Sequence, residues 1–424
     1  MNAGMKTPRL ITFGCRLNAF ESEAMRRHAM AAGLEEAVIV NTCAVTAEAQ
    51  RQARQAIRKA RREHPGAPLV VTGCAAQTDA RAFAAMAEAD AVLGNAEKMR
   101  AESWADLAAA LERGERALMV SDIMAERRLA PAALPGMSER TRAFVQVQTG
   151  CDHRCTFCII PFGRGNARSL PAGDVVAQVR AARQAGHREV VLTGVDLTSW
   201  GGDLGGRERL GHLLARILSE VPRLERLRVS SIDVAGIDET FLDVLSGEER
   251  LMPHLHLSLQ AGDDMVLKRM KRRHTRAEAI EFCARARKLR PGLALGADLI
   301  AGFPTETEAM FENSLRLINE CGLVWLHVFP FSPRPGTPAA RMPQVDKATA
   351  RRRAGALRAA GQARLEAFLA GLEGEVLPVL VERPGLARAG NNAVVIVDES
   401  LAAGEIVPVR ITGARGDKLI GERA

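Results

Sequence analysis

Residues 144–158 read Phe144-Val-Gln-Val-Gln-Thr-Gly-Cys151-Asp-His-Arg-Cys155-Thr-Phe-Cys158. An alternating run of strand type, 144–148, leads through a glycine into three cysteines spaced Cys-x3-Cys-x2-Cys. Three thiolates on one loop suit three irons of a cubane cluster, which ordinarily takes four cysteine ligands, so one iron is left for another ligand. A zinc site completed by His153 is the competing reading. Against it, His153 is wedged between two of the cysteines, and no second Cys/His pair follows at zinc-finger spacing.

Working outward from that loop, apolar runs at 190–194, 226–231, 255–259, 294–299 and 324–329 follow the first strand. They alternate with predicted helices at 173–185, 208–220, 238–246, 276–289 and 307–321. Six strands and five intervening helices predict an open (β/α)6 barrel. The cysteine loop would then sit on the C-terminal face, where such barrels hold active sites. The other strand ends on that face carry glycines and short polar side chains: Gly194, Asp196, Ser231, Asp233, Ser258, Gln260 and Asp298. Singly each is an ordinary turn residue; as a set they predict a binding site for a cosubstrate.

Upstream, Arg9-Leu-Ile-Thr-Phe-Gly-Cys15, Val38-Ile-Val-Asn-Thr-Cys43 and Leu69-Val-Val-Thr-Gly-Cys74 each precede a helix-length segment. A fourth run, Ala91-Val-Leu-Gly94, does the same. These predict a parallel α/β sheet. Cys15, Cys43 and Cys74 would lie just past the carboxyl ends of adjacent strands, an edge where open α/β folds bind ligands. One such cysteine is ordinarily a buried structural residue; three in the same topological position predict a second three-cysteine cluster. Cys283 and Cys321 have no companions in the sequence and read as structural.

A Pro- and Ala-rich segment, 129–136, separates the sheet from the barrel. Residues 346–370 predict one long helix, and 375–421 break into short alternating runs of small β-barrel type. The expected modules are 7–125, 137–371 and 372–424, α/β overall with a terminal β-barrel. No stretch approaches the ~18 apolar residues of a membrane span, and the polar start, 1–9, lacks an apolar signal core. The expectation is a cytoplasmic enzyme without membrane contact.

The net charge of +8 is uneven. Residues 131–371 carry 34 Lys/Arg against 26 Asp/Glu, whereas 372–424 carry 6 against 8. Two clusters could meet phosphates: Arg51, Arg54, Arg58, Lys59, Arg61 and Arg62 on one helix, and Lys268, Arg269, Lys271, Arg272, Arg273 and Arg276 on one segment. A solvated helix face is the plainer account of the first.

The Cys151/Cys155/Cys158 motif, with Phe157 as the aromatic before its last cysteine, resembles the radical S-adenosylmethionine superfamily. That resemblance implies a [4Fe-4S] cluster whose open iron chelates S-adenosylmethionine. With the second trio and the terminal barrel, nearly the whole chain resembles the methylthiotransferases, and the last module resembles the TRAM domain, an RNA-binding module of OB type. Asn41-Thr-Cys-Ala-Val-Thr46, Cys158-Ile-Ile-Pro-Phe-Gly-Arg-Gly-Asn-Ala-Arg-Ser169 and His327-Val-Phe-Pro-Phe-Ser-Pro-Arg-Pro-Gly-Thr-Pro338 look most like the branch acting on N6-threonylcarbamoyladenosine at tRNA position 37. The resemblance implies two [4Fe-4S] clusters, a tRNA substrate, and an external electron donor and sulfur source, with no obligate protein partner. The terminal module contains no Phe, Tyr or Trp for base stacking, which leaves Arg383, Arg388, Arg410, Arg415 and Lys418 as its candidate RNA contacts. The rivals are the isopentenyladenosine branch, the branch modifying a ribosomal-protein aspartate, and a non-catalytic iron-sulfur protein that binds RNA.

Overall fold

The computed structural model describes residues 7–132 and 140–424; residues 133–136 of the Pro- and Ala-rich segment lie outside them. Among the described residues no helix is long and apolar enough to cross a membrane.

Residues 9–119 form β1 (Arg9–Thr12), α1 (Arg16–Ala31), β2 (Val38–Thr42), α2 (Ala47–Glu63), β3 (Leu69–Gly73), α3 (Cys74–Thr78), α4 (Ala80–Ala84), β4 (Ala91–Leu93), α5 (Ala101–Glu112) and β5 (Ala117–Met119). The five strands pair in sequence order, all parallel. Strand β5 was not legible in the sequence: it is three residues long and only partly covered, too short to show a period. Because side chains alternate across a strand, Val38, Val40 and Val71 pack with Ile57 and Phe83 on one face. Ile39 and Val70 pack with Met25, Trp104 and Leu107 on the other. Burial on both faces explains why β2 and β3 read as unbroken apolar runs.

After β6 (Arg142–Gln146), residues 148–169 and later 333–337 belong to the same compact unit as the five-stranded sheet. Within 148–169, β7 (Gln148–Thr149) pairs antiparallel with β8 (Arg168–Ser169), closing a loop that contains α6 (Ile160–Arg164).

The second unit holds β6 and then α7 (Ala172–Gln184), β9 (Glu189–Thr193), α8 (Leu210–Glu220), β10 (Arg226–Val229), α9 (Glu239–Gly247), β11 (His254–Gln260), α10 (Asp264–Met270), α11 (Arg276–Leu289), β12 (Ala294–Ala301), α12 (Glu308–Glu320) and β13 (Leu323–Pro330). Two parallel three-stranded sheets, β6-β9-β10 and β11-β12-β13, are joined by the parallel bridges Leu227–Leu251 and Ile232–Leu257. This is the open (β/α)6 arrangement, with α10 as an addition. The long helix α13 (Lys347–Ala370) follows, started by the Asp346 side chain accepting from the N–H groups of Ala348 and Thr349.

A closed five-stranded barrel ends the chain: β14 (Val376–Arg383), β15 (Leu386–Ala389), β16 (Val394–Ile396), β17 (Ile406–Arg415) and β18 (Lys418–Arg423). It packs on the (β/α)6 barrel through a buried charge cluster. Glu189, fully buried, accepts from Arg228 at 2.8 Å and lies 3.6 Å from Arg226 and 3.8 Å from Arg142. Arg226 donates onward to the carbonyls of Pro378 (2.6 Å) and Arg388 (3.1 Å). Arg142 pairs with Glu382 at 2.8 Å. The arginines outweigh the effect of burial and hold the Glu189 carboxyl near 2.

Cys283 and Cys321, without companions in the sequence, have each other: both are fully buried, and the Cys321 hydrogen bond, then burial, pushes the Cys283 thiol upward.

Candidate metal centres

The first unit contains all six cysteines of the two trios. Cys15 follows β1 by three residues, Cys43 directly follows β2, and Cys74 directly follows β3. Two glycines let these strand ends approach. Gly14 has φ +93°, and a Cβ there would lie 3.0 Å from Cys43 Cβ and 3.1 Å from its Sγ. Gly73 has φ +97°, and its Cβ would come within 2.4 Å of both the nitrogen and the oxygen of Thr42. Neither position tolerates a side chain without parting the loops.

Asparagines tie these loops together. Asn18 donates to the Phe13 carbonyl at 2.7 Å and the Thr42 carbonyl at 3.2 Å, while its oxygen lies 3.9 Å from Cys15 Sγ. Asn95 donates to the Gly163 carbonyl at 2.5 Å and approaches Cys74 Sγ at 3.8 Å. The Cys43 thiol is pushed up to about 11, first by burial and then by the neighbouring Cys74 thiol, with Cys15 adding to it. Three cysteine side chains brought together at neighbouring strand ends are a soft donor set of the kind that holds iron–sulfur clusters. The donor set therefore fits a thiolate-bound metal cluster.

The second trio lies on the loop closed by β7 and β8. The Cys151 N–H donates to the Gly165 carbonyl at 3.1 Å, Cys158 N–H to Cys155 O at 3.0 Å, and Ala167 N–H to Asp152 Oδ1 at 3.0 Å. Arg154 braces the loop from Cys151 O (2.8 Å) to Asn166 Oδ1 (2.7 Å). All three cysteines are partly exposed, as open-iron chemistry requires. Helix α6 begins two residues after Cys158, and its Gly163 packs on Cys74, where a Cβ would sit 3.3 Å from Cys74 Cβ. One short helix thus joins the two cysteine loops.

Beneath the N-terminal trio is a charge network that sequence reading missed. Arg164 donates to Glu21 Oε1 (2.6 Å) and Oε2 (2.9 Å) and to Asn18 Oδ1 (2.5 Å), and Lys98 donates to Glu21 Oε2 (2.7 Å). All three charged side chains are buried. Burial alone would raise the Glu21 carboxyl, but Arg164 and Lys98 bring it to about 2. The sequence signal was a glutamate on the covered face of α1, beside Leu17, Phe20 and Ala24.

In the second unit the polar strand-end residues are partly engaged with each other. Gly194 and Ser231 are half-buried just beyond β9 and β10. Asp196 accepts from Ser199 Oγ at 2.5 Å and Thr198 Oγ1 at 3.2 Å. Asp233 accepts from Arg272 at 2.8 Å, and the same guanidinium donates to the Ser258 carbonyl at 2.6 Å. Gln260 ends β11 at φ +70°. Asp298 lies in the middle of β12, not at its end, and its Oδ1 faces His256 Nε2 at 3.1 Å and His327 Nδ1 at 3.2 Å.

The expected phosphate clusters are reduced by pairing. On α2, Arg51 pairs with Glu48, Arg54 with Asp79, Arg58 with Glu88, Lys59 with Glu63, and Arg61 with Asp90. That face is a salt-bridged surface. In the 268–276 segment, Arg272 is held by Asp233, Arg276 by Glu320, and Arg269 by the Thr305 carbonyl. Lys268, Lys271 and Arg273 stay exposed, although Arg273 also lies 3.8 Å from Asp233. Arg388 of the terminal barrel is likewise bound to Glu382.

A (β/α)6 barrel whose first strand runs into a Cys-x3-Cys-x2-Cys loop has the architecture of a radical S-adenosylmethionine protein. Residues 145–318 match the radical SAM superfamily, and residues 8–94 match the family described as Uncharacterized protein family UPF0004. The chain is 47% identical, over 95% of its length and 94% of the relative's, to the threonylcarbamoyladenosine tRNA methylthiotransferase MtaB of Rickettsia prowazekii. It is 36% identical to the protein of the same name from Bacillus subtilis, over 89% and 85% of the two lengths. It is 34% identical to the tRNA-2-methylthio-N(6)-dimethylallyladenosine synthase of Erythrobacter litoralis, over 98% and 97%. Among solved structures it shares its fold with the radical S-adenosylmethionine methyltransferase TsrM of Kitasatospora setae, with a TM-score of 0.55 and 16% identity, covering 72% of this chain and 66% of that one. The chain belongs to the methylthiotransferase family of radical S-adenosylmethionine, tRNA-modifying enzymes. Membership implies a [4Fe-4S] cluster and S-adenosylmethionine.

Proposed function

We propose that this enzyme places a methylthio group on C2 of N6-threonylcarbamoyladenosine at tRNA position 37. The observation that carries the substrate is the 47% identity, over nearly the whole of both chains, to a relative named for that reaction. In this reading Cys151, Cys155 and Cys158 hold the cluster that binds S-adenosylmethionine, and Cys15, Cys43 and Cys74 hold a second [4Fe-4S] cluster that handles sulfur. S-adenosylmethionine bound at the Cys151, Cys155 and Cys158 cluster would supply the 5′-deoxyadenosyl radical, and a second molecule would supply the methyl group.

The chain's own residues position and shield. Gly14 and Gly73 let the N-terminal thiols converge, Arg154 and Asp152 fix the other cysteine loop, and Gly194, Asp196, Ser231, Asp233, Ser258, Gln260 and Asp298 are the candidate contacts of the cosubstrate. Support for the second cluster comes from three cysteines at neighbouring strand ends beside the buried Arg164 and Lys98. The modules are 7–125, 137–371 and 372–424, working in the cytoplasm with an external reductant and sulfur source. Exposed Lys268, Lys271 and Arg273 are the candidate tRNA contacts.

Mass spectrometry of tRNA nucleosides from cells lacking the gene tests the substrate. Loss of the methylthio-threonylcarbamoyl nucleoside alone is expected. Loss of the methylthio-dimethylallyl nucleoside instead would assign the other branch, and unchanged tRNA would refute both. In the purified enzyme, Cys155→Ala should abolish 5′-deoxyadenosine formation.

A further inference from the structure

The buried network of Arg164, Glu21 and Lys98 has an unequal charge. One carboxylate faces a guanidinium and an ammonium, with Nη1–Oε1 at 2.6 Å, Nη2–Oε2 at 2.9 Å and Nζ–Oε2 at 2.7 Å. Arg164 and Lys98 are about 4% and 0% exposed, and Glu21 is 3% exposed. Buried charges are costly unless compensated, and here the protein provides one anion for two cations. The groups next to them are the N-terminal cysteines. Asn18 contacts both Arg164 (2.5 Å) and the Cys15 thiol (3.9 Å). Asn95 contacts both the Gly163 carbonyl, one residue before Arg164, and the Cys74 thiol (3.8 Å). Three cysteinates around a [4Fe-4S] core supply the missing negative charge.

Arg164 also has a fixed address. It closes α6, whose start lies two residues beyond Cys158, so the side chain beneath one trio is carried by the loop that bears the other. Its carbonyl accepts from Arg168 Nη2 at 2.6 Å, which clamps the end of the loop.

We propose that Arg164 is a positioning residue of the N-terminal cluster: with Lys98 and against Glu21 it places a net positive charge under Cys15 and Cys74, raising that cluster's reduction potential and docking the other cysteine loop on it. This rests on the reading of Cys15, Cys43 and Cys74 as cluster ligands. Net charge and hydrogen bonding around the sulfurs are established determinants of cluster potential, and a charge acting through a dry interior is weakly screened.

The test uses the full chain with Cys151, Cys155 and Cys158 all changed to Ala, reconstituted anaerobically with iron and sulfide, so that a single cluster signal is followed by EPR-monitored redox titration. Arg164→Met should make the cluster at least tenfold harder to reduce, a downward shift of 59 mV or more for one electron. Arg164→Lys should restore most of the shift. Glu21→Gln, which removes the anion and keeps the shape, should move the potential upward. Opposite signs in the two variants cannot come from general loosening. An unchanged midpoint in a cluster-bearing Arg164→Met protein, or shifts of the same sign in both, would overturn the inference. If Arg164→Met fails to bind iron, Glu21→Gln decides: an upward shift supports the assignment and none refutes it. A parent chain that takes up no cluster would instead overturn the ligand reading itself, and the inference with it.

Discussion

On the proposed reading of Cys15, Cys43 and Cys74 as ligands of a second cluster, replacing Gly73 by Ala should empty that trio while leaving the other cluster in place. Gly73 sits at φ +97°, ψ −174°, a region essentially reserved for glycine, and that alone costs roughly 1–3 kcal/mol. The added Cβ would stand 2.4 Å from the nitrogen and oxygen of Thr42. Both are backbone atoms of a strand buried on both faces, so they cannot rotate away. To reach ordinary contact the β2 and β3 ends must separate by about 1 Å, with an overpacking cost of roughly 1–3 kcal/mol more. The sum, about 2–6 kcal/mol, is survivable for a chain with ~5–15 kcal/mol of stability. The site is less forgiving: Cys43 follows Thr42 and Cys74 follows Gly73, and ligand distances hold within about 0.2 Å. If the trio holds the proposed second cluster, iron and sulfide analysis after reconstitution should fall from about eight to about four per chain, while single-turnover 5′-deoxyadenosine formation persists. Gly66→Ala, where a Cβ meets nothing within 4 Å, is the control. Full iron content in a folded Gly73→Ala protein would refute the argument that loop approach assembles the trio.

Three further outcomes follow from the charge pattern. Glu189→Gln removes the one carboxylate facing Arg226 and Arg228 in the interior, while Arg142 keeps Glu382, and should lower stability by roughly 3–5 kcal/mol, read by urea unfolding and by faster proteolytic release of residues 372–424. In the cluster-free protein, Glu21 falls from its ordinary 4.5 to about 2 on folding. Its contribution, about 3 kcal/mol at most, is complete above pH 4.5 and is lost as pH falls from there through 2. The acid limb of the stability curve should flatten in Glu21→Gln. Neutralising Lys268 or Lys271 should reduce the salt slope of tRNA binding by ~1 each, whereas the paired α2 arginines Arg51 and Arg54 should leave it unchanged.

The residue types and their spacing carried most of the fold. Strands buried on both faces show as apolar runs, helices between them show a 3.6-residue period, and Cys-x3-Cys-x2-Cys is specific enough to announce cluster chemistry. Equal spacing by one strand-helix unit also put Cys15, Cys43 and Cys74 on one sheet edge, because parallel strands repeat the same direction. What chain order could not reveal was which charges meet. Arg164 and Glu21 are 143 residues apart and look like any surface pair until α6 and α1 are packed together. Arg272 and the α2 arginines Arg54, Arg58 and Arg61 look like a phosphate grip until Asp233, Asp79, Glu88 and Asp90 arrive from elsewhere in the fold. The cysteine loop was assigned by sequence to the barrel that precedes and follows it, yet it packs with the N-terminal sheet, where Gly163 fits against Cys74. Local pattern reports periodicity and ligand spacing; long-range pairing of buried charges depends on how the elements pack, and here that packing gives the N-terminal cysteines their cationic floor.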